Sequence, residues 1–407
     1  MSKVVPEGWS LKTISDVCDI AIGGTPSRAN PEYWDTGKTT NNLWVSIRDL
    51  NGPWVYETLE YITDSGVKNS NVKLVKKGTV LMSFKLTVGR VAYAGKDLYT
   101  NEAIVALSPK LKDRLSNQFL YQGLQYWDLL KDVDQAVKGV TLNKDKINQI
   151  EALIPPIAEQ QKIATILSSV DNVIEKTRTQ IDKLKDLKTG MMQELLTKGI
   201  GHTEFKDSSV GRIPKAWRLC SLNSIAKVID SLHSTPKFSS SGYPMIRVSD
   251  IKPGNVQIDR ALRVSEEVFR EFTKKYKPAK GDLLLSRVGS YGVCSYINRD
   301  VELCIGQNTV VIVPQEIDGQ FLYHAVNSNY FQKQVELEVA GSGYKSLSLA
   351  SIRAATIVVP SKLEQKEIAD FLQAMDSKII VFNQKLEALC NVKKSLMRLL
   401  LTGGIRV

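Results

Sequence analysis

None of the five cysteines (Cys18, Cys220, Cys294, Cys304, Cys390) forms a C-x-x-C pair. That spacing gives no zinc knuckle and no disulfide framework, and the thiols read as buried. Histidine is scarcer still: His202, His233 and His324 stand far apart without metal-ligand spacing. No nucleophile–base pattern can be drawn from them. The chain also lacks any run of about 18 apolar residues, the length a membrane-spanning helix needs. Its opening, Met-Ser-Lys-Val-Val-Pro-Glu-Gly-Trp, has no apolar core of the signal-peptide kind, so the expected location is the cytoplasm. A glycine-rich cofactor fingerprint is missing too. The stretch Gly341–Ser346 comes near a phosphate loop but puts Tyr344 where G-x-x-x-x-G-K-S needs glycine.

What is present is an ordinary globular composition with a basic surplus. Of 407 residues 43% are hydrophobic and 24% charged, enough for two or three domains with real cores. The net charge of +11 is spread out, with +2 in residues 1–156, +1 in 157–200, +5 in 201–360 and +3 in 361–407. No polybasic tail concentrates it. A distributed excess suits a folded surface laid along a polyanion, and it also suits a basic protein with no such partner.

The strongest signal is an internal repeat. A shift of 205 positions aligns Leu142–Ile200 with Leu347–Ile405 without a gap, and 18 of the 59 positions are identical. Chance would give roughly four. Shared positions include Pro155 and Pro360, Glu159-Gln160 and Glu364-Gln365, Asp171 and Asp376, and the closing runs Leu195–Ile200 and Leu400–Ile405. Upstream the correspondence continues with offsets drifting between 201 and 210, as loops that gained and lost residues would produce.

Within the gapless block the apolar positions have the 4-3 spacing of a coiled-coil seam. They are Ile163, Leu167, Val170, Ile174, Ile181, Leu184, Met191 and Leu195, then Ile368, Leu372, Met375, Ile379, Phe382, Leu386, Leu389, Leu396 and Leu400. Thr177, Lys188 and Lys393 interrupt the pattern. Pro156 and Pro360 mark the helix starts, Ser361 and Glu364 have capping-box spacing, and Gly199, Gly201, Gly403 and Gly404 mark the ends. Helices of about 40 residues reach roughly 60 Å. Equal seams in one chain meet at high local concentration, which favours pairing with each other over packing on their own domains or in a homodimer. Because a domain precedes each helix, antiparallel pairing with pseudo-twofold symmetry avoids crowding the domains.

Each globular region opens on an aromatic anchor, Trp9 or Trp217, read as core. Short β-rich runs follow at 43–50 and 243–251 and at 77–84 and 280–287, with helices at 116–131 and 318–336. The fold class is α+β, with segments 1–156 and 201–360 as mixed domains and 157–200 and 361–407 as helical spacers. From Gly78 and Gly281 through Tyr93 and Tyr296 the offset stays at 203, yet the tip reads Phe-Lys-Leu-Thr-Val in one copy and Arg-Val-Gly-Ser-Tyr in the other. A common frame with divergent tips fits two readers of different half-sites, and it also fits drift in a surface loop.

Candidates for contact with bases or phosphates come from these tips, from the β-rich runs that carry Arg48 and Arg247, from the loops before strands at 23–27 and 234–237, and from equivalent loops that precede the helices, with a solvated surface role as the alternative for the loop residues. In the first copy they are Thr25, Ser27, Arg48, Lys85, Thr87, Arg90, Lys138 and Thr141. In the second they are Thr235, Lys237, Arg247, Arg287, Ser290, Tyr291, Tyr344 and Lys345. Arg48 and Arg247 each have an Asp close behind, so a structural ion pair is the competing role. Asn30-Pro-Glu-Tyr33 differs from the Asn-Pro-Pro-aromatic tetrad of adenine methyltransferases in having Glu32, and the second copy has no counterpart. No catalytic, cofactor or metal residues are assigned.

The parts run in the order domain, Ile154–Ala164 opening a long helix, Leu-Leu-Thr-Lys-Gly-Ile closing it, Val210–Trp217, and then domain and helix again. This order resembles the specificity subunit of type I restriction-modification systems over essentially the whole chain. The second copy departs modestly, with Ser361 in place of Pro156. The resemblance implies two target recognition domains, each reading half of a bipartite site in double-stranded DNA, with the helices as an antiparallel spacer. It implies no catalysis in this chain. Two methyltransferase subunits and restriction subunits are the implied partners, and S-adenosylmethionine, ATP and Mg belong to them. Outward helix residues Arg178, Lys183, Lys185, Asp186, Lys385, Glu387 and Lys394 are candidate docking positions. Competing readings are a coiled-coil adaptor for proteins and a methyltransferase or nuclease with a cryptic site.

Overall fold

The computed structural model describes residues 5–130, 142–341 and 346–407. The chain divides into two compact units, Met1–Thr177 with Lys385–Val407, and Arg178–Gln384. Each unit therefore holds one globular domain and a stretch of each long helix.

In the first unit a five-stranded sheet runs in the order Cys18–Ile22, Ile104–Pro109, Val80–Ser83, Val91–Ala94, Trp54–Val55, antiparallel until the last, parallel pair. A three-stranded sheet (Glu60–Tyr61, Leu43–Val45, Tyr99–Thr100) stands beside it. Ser10–Thr13 pairs with Glu151–Ile154, so the strand after the aromatic anchor is tied to the strand that leads into the long helix. Strand residues such as Val80, Met82, Val105 and Leu107 pack on one face with the helix Asn117–Leu124, while Leu81, Ile104 and Ala106 face the other, which is the period-2 alternation of a sheet buried on both sides.

The second unit repeats the plan. Its main sheet has four strands, Ala226–Asp230, Thr309–Pro314, Leu283–Ser286 and Cys294–Tyr296, and a lone parallel bridge from Asn255 to Tyr296 takes the place of the fifth strand. Leu262–Val264, Tyr243–Ile246 and Cys304–Ile305 form the three-stranded sheet, and Arg218–Ser221 pairs with Thr356–Val359. Where the sequence suggests one helix over 318–336, the chain forms two, Gly319–Val326 and Asn329–Gly341. Asn327 and Ser328 turn their side chains back onto the carbonyls of Tyr323 and Ala325, competing with continuation of the helix.

The long helices span Ile157–Leu195 and Lys362–Leu400. All 17 seam positions read from the sequence are buried or half-buried. In the first unit Ile163 and Leu167 share a core with Met397, Leu400 and Leu401, so the start of one helix lies against the end of the other. In the second unit Ile368 and Leu372 share a core with Leu196, with Met191 and Leu195 packed on it. Pairing is antiparallel in each. Thr177 sits in the seam at 2% exposure because its hydroxyl donates to the Val173 carbonyl and needs no other partner.

Cys18, Cys294 and Cys304 are buried and burial raises their thiol pKa, to about 12 for Cys18 and Cys304. Cys220 is half-buried and Cys390 is exposed, which corrects the expectation of five buried thiols: Cys390 falls on the outer face of its helix, off the seam.

Candidate nucleic-acid interface

Both helix starts are anchored by the duplicated Glu-Gln pair. Glu159 accepts from Trp9 Nε1 at 3.0 Å, and Glu364 from Trp217 Nε1 at 2.9 Å. The neighbouring Gln160 is fully buried; its Oε1 accepts from Ser116 N, and its Nε2 donates to the Pro155 and Arg114 carbonyls. Gln365 repeats this with Asp318 N and the Pro360 carbonyl. Ser116 and Asp318 are the N-caps of the equivalent helices Asn117–Leu124 and Gly319–Val326, so one Gln fastens each long helix to its domain. The Ser361–Glu364 capping box forms only by half. Ser361 Oγ accepts from Glu364 N, while the Glu364 carboxylate goes to Trp217, His202 and Ile200 N. Gly199, at φ 66°, is needed there because a Cβ would meet Glu364 Oε1 at 2.4 Å.

Above this frame, loops at the strand ends of the first domain come together. Gly24 N donates to the Thr100 carbonyl, Asn101 N to that of Val45, and Phe84 N to that of Ala103, drawing segments 23–28, 45–49, 84–90 and 100–103 to one place. Thr25 Oγ1 donates to Glu102. Burial raises the Glu102 carboxyl pKa, and the Thr25 bond with the charges of Lys85 and Arg28 more than offsets it, leaving a net lowering. Arg28 pairs with Glu60 and lies 3.6 Å from the Trp34 ring centre, and its hydrogen bond is the main cause holding Glu60 below its usual pKa. Arg90 reaches the Ile47 carbonyl. Arg48 is exposed, since the Asp49 carboxylate is occupied by Ser46 and by Leu59 N.

The two tips are held in one way. Ser83 and Ser286 are both fully buried, Gly89 N and Gly292 N donate to their carbonyls at 2.9 Å, and their hydroxyls turn to the Thr87 and Ser290 carbonyls. The next residue's carbonyl, of Phe84 or Arg287, accepts from Leu142 N or Leu347 N at 2.8 Å. On this frame the side chains differ. Lys85 is half-buried, Thr87 and Arg90 are exposed, Ser290 is exposed and Tyr291 is half-buried.

In the second domain Thr235 Oγ1 reaches Gln307 Oε1 at 3.4 Å, the counterpart of Thr25 and Glu102, and Lys237 is exposed beside it. Arg247 forms a two-point ion pair with Asp250, and Arg287 pairs with Asp230 at 2.9 Å while donating to the Leu347 carbonyl. Both arginines thus hold the loops they belong to. Ser27 lends its carbonyl to Trp34 Nε1. Asn30 caps the short helix Pro31–Tyr33, which gives the Asn-Pro-Glu-Tyr run a structural role. Lys138, Thr141, Tyr344 and Lys345 lie outside the described residues. Arg28, Glu102 and Gln307 were not singled out in the sequence; the spacing of 77 residues between Thr25 and Glu102 carries no local signal, and the equivalence of Glu102 with Gln307 at the offset of 205 was the available clue.

Among the described residues no group of three or more His, Cys, Asp or Glu is placed to hold a metal ion, and no helix is long and apolar enough to cross a membrane. The class the fold defines is a duplicated one, two α+β domains each leading into a long helix and each carrying polar and basic loops on a shared frame. A family model described as "Type I restriction modification DNA specificity domain" matches residues 6–186 and 214–391. The chain belongs to this family, and its role is the non-catalytic one of DNA specificity. Among relatives, the type I restriction enzyme MjaVIII specificity subunit of Methanocaldococcus jannaschii is 25% identical, covering 99% of this chain and 94% of its own. The EcoBI specificity subunit of Escherichia coli is 24% identical over 63% of this chain and 58% of its own. The crystal structure of the S subunit from M. genitalium shares the fold at a TM-score of 0.60 and 15% identity, covering 98% of this chain and 97% of that one.

Proposed function

We propose that residues 1–156 and 201–360 are target recognition domains, each reading one half of a bipartite site in double-stranded DNA, and that segments 157–200 and 361–407 set the spacing between the half-sites. The observation that carries this is the pair of tips, superposed in their hydrogen bonding from Ser83 to Gly89 and Ser286 to Gly292 and unlike in their side chains. Base readout depends on a few side chains held by a fixed frame, so one frame with two tips suits two different half-sites. Thr25, Ser27, Arg48, Lys85, Thr87, Arg90, Thr235, Lys237, Ser290 and Tyr291 are the contact candidates within the described residues; Arg247 and Arg287 act by shaping their loops. The partners are two methyltransferase subunits, docked on the outward faces of the helices, and restriction subunits. S-adenosylmethionine, ATP and Mg serve those partners.

Exchanging residues 84–93 for those of a relative, in the assembled complex, tests this. Mapping of modified adenines is expected to show one half-site changed and the other kept. Both half-sites changing together, or neither, overturns the assignment.

A further inference from the structure

A seam with 4-3 spacing looks the same after a slip of one heptad, so apolar residues alone leave the overlap of two helices undetermined. The seam here is interrupted by lysines at equivalent places, Lys188 and Lys393, and each finds an aspartate from the duplicated pair on the other helix. In the first unit Lys393 Nζ lies 2.7 Å from Asp171 Oδ1. In the second Lys188 Nζ lies 2.5 Å from Asp376 Oδ1. The lysine side chains are 16% and 19% exposed and the aspartates 27% and 23%, so these are largely sheltered pairs rather than solvated surface ones. The first is also tied to the domain, because Gln122 Nε2 donates to Asp171 Oδ2 at 2.8 Å and Lys393 donates to Gln125 Oε1 at 3.0 Å.

We propose that Asp171, Lys188, Asp376 and Lys393 are positioning residues that lock the register of the helices and so fix the number of base pairs between the half-sites. This rests on the spacer role proposed above. Both pairs obey one antiparallel register. Sliding one helix by seven residues would face Lys393 with Ala164 or Arg178, and Lys188 with Ala369 or Asn383. The aspartates would meet Leu386 or Leu400 and Ile181 or Leu195, leaving carboxylates unpaired against apolar side chains. Every slipped register therefore loses both pairs at once. A polar residue at a seam position is a known means of choosing one register at some cost in stability.

The deciding variant replaces all four residues with Leu, which keeps the seam apolar; orphaning the Nε2 of buried Gln122 is expected to cost about 1–3 kcal/mol against what the apolar seam gains. A slip of one heptad moves a helix by about 10 Å, the rise of roughly three base pairs. In the assembled complex, modification of a library with varied spacers is expected to show both half-site sequences kept and preference for the parent spacing reduced tenfold or more. Swapping the charges (Asp171→Lys and Asp376→Lys with Lys188→Asp and Lys393→Asp) is expected to restore a single spacing. Nitroxide labels at Thr165→Cys and Val392→Cys, with Cys390→Ser and Cys220→Ser, read the register of the chain without DNA: one distance in the parent, and in the all-Leu variant a second population, shorter or longer according to the direction of a slip of about 10 Å along the helix. An unchanged single distance and an unchanged spacing preference in the all-Leu variant overturn the lock. A register that slips while the spacing preference stays fixed overturns instead the spacer role on which the lock depends.

Discussion

Gln122 and His324 occupy equivalent places in the runs Phe-Leu-Tyr-Gln and Phe-Leu-Tyr-His, yet only the glutamine reaches its aspartate, Asp171. His324 is fully buried, neither ring nitrogen has a hydrogen-bond partner in the protein, and Tyr323 packs on the ring at 4.9 Å. Burial, with the charge of Lys188 adding to it, pushes the imidazole down to about 3. The folded state then stays neutral while the unfolded chain takes up a proton below about pH 6.5, so stability falls as pH drops from there toward 3. Denaturant melts at pH 6.5 and pH 5 are expected to show the parent losing about 2 kcal/mol more than His324→Gln. An equal loss in both proteins would show that the ring finds a partner when protonated. Glu364 invites a simpler test at the same scale. Glu364→Leu strips the acceptor from the buried Trp217 indole and from Ile200 N, at an expected cost of about 2–4 kcal/mol in denaturant melts. A loss below 1 kcal/mol would mean that water replaces the carboxylate.

The loop between Val80–Ser83 and Val91–Ala94 carries exposed Thr87 and Arg90 and half-buried Lys85. If Lys85 meets a phosphate, Lys85→Ala lowers affinity evenly across sequences and reduces the slope of log affinity against log salt by about 1. A change confined to one base position would make it a base reader instead, and binding assays on site variants separate the two. At this scale the sequence was legible wherever one physical pattern dominates. The seam could be read because its 4-3 spacing holds through nearly all of both long helices, and the two-copy plan because the gapless repeat of 142–200 in 347–405 continues upstream with drifting offsets into both α+β domains. The ion pair of Arg247 with Asp250 was legible as the competing role for that arginine, whereas the helix break at Asn327-Ser328 and the structural work of Arg287 were not legible. Arg287 is 57 residues from Asp230, and only the fold brings them together. The Glu-Gln pair was visible as a repeated motif, but its task, fastening Trp9 and Trp217 and the N-caps at Ser116 and Asp318, depends on contacts 44 to 150 residues apart.

Duplication also makes a claim about connectivity. In the second unit the chain leaves the first long helix, docks Ile200 N and His202 on Glu364, and runs on into the strand pair Phe205–Lys206 with Ile213–Pro214. In the first unit the same docking is made without a covalent link: Arg406 binds Glu159 at 2.7 and 2.8 Å and donates to the Glu7 carbonyl at 2.9 Å, and Gly403 lies so close to Pro6 that a Cβ would meet it at 2.4 Å. Residues 6–7 and 403–406 are thus already neighbours where the other copy has continuous chain. A circular permutant joining Val407 to Val5 through a short Gly/Ser linker, and opened in the turn at 208–211 so that both strands of the 205–214 pair survive, keeps every one of these contacts. It is expected to fold with a melting temperature within a few degrees of the parent and, in the assembled complex, to direct modification to the same bipartite site. The control is the chain cut at 208–211 without the join. Should the permutant fold yet lose one half-site, the order of the segments matters to recognition itself; should it fail to fold while the parent melts normally, the docking of Ile200 N and His202 on Glu364 does not hold the second unit together without continuous chain through 208–211.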